Sequence, residues 1–118
     1  MDSIFRETTI SWDGVDYTLV PDMKLLKRIE RGRPGEGPVS LIQIASQAIQ
    51  GNPQISIMAQ IIEEVMHAAG AADFTEEVVL EEFYGGNAAG VSQLWHDVIA
   101  ALSPVPKDQK KADVPDKK

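Results

Sequence analysis

The first twenty residues alternate. In TTISWDGVDYTLV, Ile10, Trp12, Val15, Tyr17 and Leu19 are apolar, while Thr9, Ser11, Asp16 and Thr18 are polar. Period-two alternation is the signature of a half-buried strand, and Asp-Gly is a strong two-residue hairpin turn. Centring the turn on Asp13-Gly14 pairs Trp12 with Val15, Ile10 with Tyr17 and Thr8 with Leu19. All five apolar residues then share one face, whereas a one-residue slip would expose the whole set. An isolated two-stranded hairpin is marginal in water, so that face is expected to pack on helices.

After Pro21 the period becomes helical. Asp22 is a predicted N-cap. Leu25, Leu26 and Ile29 make the apolar side of a first helix, expected to anchor it to the hairpin, and Gly32 stops it. The loop GRPGEGP follows. Pro38 is expected to open a second helix carrying Leu41, Ile42, Ala45, Ala48 and Ile49 up to Gly51-Asn52. Ser56 is the expected cap of a third, with Met58, Ile61, Ile62, Val65, Met66 and Ala69 on its stripe and Gly70 after it. Thr75 with Glu76 and Glu77 starts a fourth, because carboxylates favour the positive end of the helix dipole. It runs through Val79, Leu80 and Phe83 to Gly85-Gly86. Asn87 caps a fifth, with Val91, Leu94, Trp95, Val98, Ile99 and Leu102 on one stripe.

Past Leu102 the periodicity ends. SPVPKDQKKADVPDKK holds three prolines and no aromatic residue, the composition of a disordered tail. The expected fold class is therefore α+β and mostly α. A hairpin and about five short helices form a single domain over 1–102, with a disordered tail over 103–118.

Charge changes this picture by its distribution. The net charge is −7, but five of the six cations before the tail crowd into Lys24, Lys27, Arg28, Arg31 and Arg33. Lys24, Lys27, Arg28 and Arg31 are three or four residues apart and so are neighbours on one helix face. They read either as a solvated face or as a docking patch for an acidic partner. Conversely, Glu63, Glu64, Asp73, Glu76, Glu77, Glu81 and Glu82 fall within residues 63–82, where no Lys or Arg occurs. Such segregation suits orientation of a protein partner or self-association. The acidic body argues against nucleic acid and anionic membranes as partners.

Candidate chemistry is sparse. The chain has no cysteine, which removes disulfides, thiolate metal sites and cysteine nucleophiles and fits a reducing compartment. GRPGEGP is not a phosphate cradle: no Lys-Ser/Thr follows its glycines, Glu36 sits among them, and they follow a helix rather than a strand. Glu63 and His67 lie one helical turn apart and suit a Glu–His pair. Catalysis or a catalytic zinc wants about three converging groups, and His67 and His96 fall on different helices. Trp12, Phe83, Tyr84 and Trp95 read as core packing in preference to a ligand box. No enzymatic activity, metal or cofactor is expected. MDSIFRETT lacks a basic stretch followed by an apolar run, so no signal peptide is expected. No apolar run approaches the ~20 residues a membrane span needs, and the expected location is the cytoplasm.

The order of elements, and TISWDGVDYTLVPDMKLLKRIE in particular, resembles the tail assembly chaperone family of long-tailed phages and gene transfer agents. The residues that carry the likeness are Gly14, Tyr17, Leu19, Ile29-Glu30, Ser40, Ile44-Ala45, Gly51, Ala89, Leu94-Trp95, Val98-Ile99 and Ala101-Leu102, within about residues 5–102. Glu30 is the polar mark among them. The resemblance implies a small, mostly helical, non-enzymatic morphogenesis factor that binds the tape-measure protein and recruits tail tube protein to it. Two other readings stand beside it. One is a structural component of a phage-like tail or head–tail joint; the other is a small DNA-binding regulator using Lys24 to Arg33.

Overall fold

A computed structural model of the chain describes residues 5–103. Two strands, β1 (Thr8–Trp12) and β2 (Val15–Leu19), are followed by five helices: α1 (Met23–Arg31), α2 (Leu41–Ile49), α3 (Ile55–Ala68), α4 (Glu76–Tyr84) and α5 (Ala88–Leu102). The fold is α+β and mostly α, as the patterning predicts. Past Ser103, the expected tail lies outside the described residues. Ser103 itself finishes α5, its hydroxyl donating to the Ile99 carbonyl at 2.7 Å.

The hairpin has the predicted register: Thr8 pairs with Leu19, Ile10 with Tyr17 and Trp12 with Val15. Asp13 and Gly14 both take positive φ, 53° and 79°, the type I′ geometry that matches strand twist. On the outer face Thr9 and Thr18 share a hydrogen bond and the Ser11 hydroxyl donates to Asp16. On the inner face Ile10 is fully buried and Leu19 buried, while Val15 stays half-exposed beside the turn. The hairpin leans on α5, and Trp12 meets Phe74 edge-on with ring centroids 5.9 Å apart.

Around it, α3 is the central helix. It packs against α1, α4 and α5, and Ile62, Val65 and Met66 are completely buried. Its end is a Schellman motif: Gly70 N–H donates to the His67 carbonyl and Ala71 N–H to Met66. From α5, Val91, Leu94, Val98, Ala101 and Leu102 join the same core.

Four local expectations change. Pro38 does not open α2; Ser40 does, its hydroxyl accepting Gln43 N–H at 3.2 Å. Ser56 does not cap α3, because the helix begins one residue earlier and Gln54 takes the cap position without a side-chain bond. The main neighbour of α1 is α3 rather than the hairpin. Finally, Ile42 and Ile49 leave the core stripe of α2, which Leu41 and Ile44 supply instead.

Candidate functional site

The basic residues of α1 divide between two fates. Arg28 turns toward α3 and its Nε donates to Glu64 at 3.1 Å. Arg33, in the loop after α1, reaches further: one guanidinium nitrogen donates to Glu76 of α4 and the other to Glu63 of α3 at 3.0 Å. The second Glu63 oxygen accepts the Glu76 amide at 2.7 Å. Glu63 therefore acts as the cap of α4, whose Thr75 side chain makes no cap bond. Part of the charge that is segregated along the chain is thus paired within the molecule. Lys24, Lys27 and Arg31 are exposed and make no ion pair among the described residues.

The loop is shaped to deliver Arg33. Gly32 ends α1 at φ 81°, ψ −177°, a region open essentially to glycine. A Cβ there would stand 1.9 Å from the Gly37 carbonyl oxygen. The chain then doubles back, and Val39 N–H donates to the Glu30 carbonyl at 2.8 Å. The Glu30 carboxylate accepts Leu41 N–H at 3.2 Å, so the polar mark of the resemblance ties the end of α1 to the first turn of α2. Sequence reasoning missed this role because a cap supplied from eleven residues upstream leaves no local signature.

α2 is the helix least packed against other elements. Every other helix has a second element running close beside it, and α2 does not. Ile42 is 82% exposed and Ile49 86% exposed. The helix carries no charge, nor does any residue from Gly37 to Ile62. Apolar troughs flank it on both sides. One, of about 310 Å³, lies toward α3, α4 and α5, with Ile55, Phe83 and Trp95 in its wall. The larger, about 620 Å³, lies between α1, α2 and α5. Leu26, Leu41, Ile42, Ile49, Ile99 and Leu102 line it, with the Glu30 carboxylate at its edge. Periodicity marks an apolar stripe on α2 without separating the residues that face inward from those that face out.

The remaining candidates lie apart. His67 bonds to the Phe74 carbonyl at 2.6 Å and not to Glu63, which the Arg33 network holds. His96 is exposed on α5. No group of three His, Asp or Glu side chains is placed to hold a metal ion among the described residues. The four aromatic residues do not form one box: Trp12 meets Phe74, Phe83 and the buried Trp95 share the smaller trough, and Tyr84, edge-on to Phe83, is exposed rather than core. No helix of the described residues is long and apolar enough to cross a membrane. No protein-family model, curated protein or solved structure matches the chain.

Proposed function

We propose that the chain is a non-enzymatic assembly chaperone of phage-like tails. It holds the tape-measure protein and receives tail tube protein during morphogenesis. The sequence resemblance motivates the reading. The observation that carries it is the α2 face, where Ile42 and Ile49 stand over four-fifths exposed on an uncharged helix between two apolar troughs. Contiguous apolar surface rimmed by polar residues marks a place where another macromolecule binds. A chaperone needs such a face because it must cover an aggregation-prone partner and later release it.

The test is genetic and biochemical together. Removing the gene from a particle-producing host should abolish tails, and the protein should co-purify with co-expressed tape-measure protein yet be missing from finished particles. Normal tails without the gene, or no complex on co-expression, would overturn the reading. Stoichiometric presence in purified particles would replace it with a structural component of the tail or head–tail joint. Steeply salt-dependent binding to duplex DNA through Lys24, Lys27 and Arg31, without tail defects, would replace it with a regulator.

A further inference from the structure

The larger trough lies where the described chain stops. Its walls are the sides of α1, α2 and α5, and its lining includes Leu102 and Ser103, the last two described residues. Ser103 has left helical geometry for extended backbone, with φ −91° and ψ 114°. Residues 104–118 follow from that point. No linker separates them from the trough, so their local concentration there is on the order of millimolar.

One charged side chain lines the trough, Glu30. Its carboxylate accepts Leu41 N–H at 3.2 Å in a partly buried setting. No cation pairs with it among the described residues. A carboxylate set in an apolar wall has lost part of its hydration, and a cation brought beside it restores a favourable environment.

The sequence PVPKDQKKADVPDKK meets these conditions. It holds five Lys and three Asp, net +2, and residues 1–102 hold six Lys and Arg against fifteen Asp and Glu, net −9. Its first three residues suit an apolar floor between helices. Helix walls have their backbone groups bonded internally, so a chain laid among them finds no partner for its own N–H groups. Pro104 and Pro106 bring no N–H to leave unpaired. A proline at 104 also favours extended backbone at Ser103, the conformation found there, so less freedom is lost on docking. Lys107 stands four residues past Ser103, a span of about 13 Å when extended. That is about the length of nine-residue α2, enough to bring a lysine to Glu30 across the trough.

We infer that residues 104–118 occupy the α1–α2–α5 trough of their own chain. Pro104, Val105 and Pro106 lie on its apolar floor, and the lysines that begin at Lys107 pair with Glu30. The segment is then an internal cover for the trough beside α2. Its regulatory consequence rests on the chaperone reading: a partner must displace the segment to reach the whole of the α2 face. A second copy is the poorer occupant, because a −7 chain repels itself at long range.

The chain has no cysteine, so Gln109→Cys places a single nitroxide label on the full chain. Compared with the reduced label, the methyl signals of Leu26, Ile42 and Ile99 should broaden and those of Val78 should not. Val78 shares a cleft with Asn87, the cap of α5, and the fifteen residues of α5 put that end about 22 Å from the trough. Lys107→Glu, Lys110→Glu and Lys111→Glu together should remove the broadening. Raised salt should reduce it, and so should Glu30→Gln, which keeps an acceptor for Leu41 N–H. Unmoved signals from the buried Ile10 and Val65 show that each variant keeps its core. No broadening at the trough, equal broadening at Val78, or broadening that survives the lysine reversal overturns the inference. A mixture of spin-labelled chain with isotope-labelled chain free of the nitroxide tests for exchange between copies. Broadening at the trough in that mixture would make a second copy's segment the occupant and overturn the inference equally. No phage-tail protein enters the measurement, so its failure and failure of the chaperone reading are separately visible.

Discussion

At the scale of single residues, three side chains and one missing side chain hold the loop between α1 and α2: Glu30, Arg33 and Ser40, with Gly32. Gly32 combines a backbone conformation reserved for glycine with a carbonyl where a Cβ would go. Gly32→Ala should therefore cost about 1–3 kcal/mol from conformation alone, with more from displacing Gly37. Urea denaturation followed by circular dichroism measures it. Glu30→Ala removes the acceptor for Leu41 N–H and should cost about 0.5–2 kcal/mol, the range for a lost helix cap. Glu30→Gln, which keeps an acceptor oxygen, should lose less. Amide exchange at Leu41 is the local readout, since a lost cap frees that N–H before it affects the core. Gly32 as the end of α1 was legible from the sequence. The role of Glu30 was not, because the amide it serves belongs to another helix.

At the scale of elements, α5 and α2 are opposites. α5 buries Val91, Leu94, Trp95, Val98, Ala101 and Leu102, the stripe its periodicity predicts with Ala101 added. Ile99 sits at its margin, between the two troughs. Trp95→Ala should destabilise by about 3–5 kcal/mol, as deletion of a buried aromatic does. A loss below about 1 kcal/mol in equilibrium unfolding would mean that α5 depends on a partner for its packing. For α2 the expected result reverses. Ile42→Gln and Ile49→Gln should each shift stability by no more than about 0.5 kcal/mol, because both side chains already stand in solvent. Thermal melts of the two variants check this. Both helices have apolar residues at helical spacing, so periodicity alone ranks them alike. What separates them is how much of each stripe finds a facing surface, a property of neighbours far along the chain.

At the scale of the whole molecule, charge organises the assembly. Arg33 draws the α1–α2 loop, α3 and α4 together, because Glu63 and Glu76 converge on one guanidinium and Glu63 also serves the first amide of α4. Arg33 and Glu63 retain only 28% and 17% side-chain exposure, so the pair is less screened than an open surface bridge. A double-mutant cycle of Arg33→Met and Glu76→Gln should show a coupling of about 1 kcal/mol, inside the range for residues sharing one network. Additive single effects would mean that the ion pair contributes nothing beyond its separate side chains.

By itself, the sequence determined the hairpin and its register, the five helices, most of their stops, and the apolar sets of α3 and α5. Each of these depends on interactions within a few residues: the Asp-Gly turn, alternation, side-chain caps and glycine ends. Tertiary structure alone decided where the charges and the leftover apolar residues went. The basic and acidic blocks, distinct along the chain, meet at Arg33, while Lys24, Lys27 and Arg31 remain outward. The stripe on α2 divides into Leu41 and Ile44 inside and Ile42 and Ile49 outside. Long-range pairing caused both outcomes. A cation is free or spent, and a leucine or isoleucine is core or surface, according to what other parts of the chain bring opposite it.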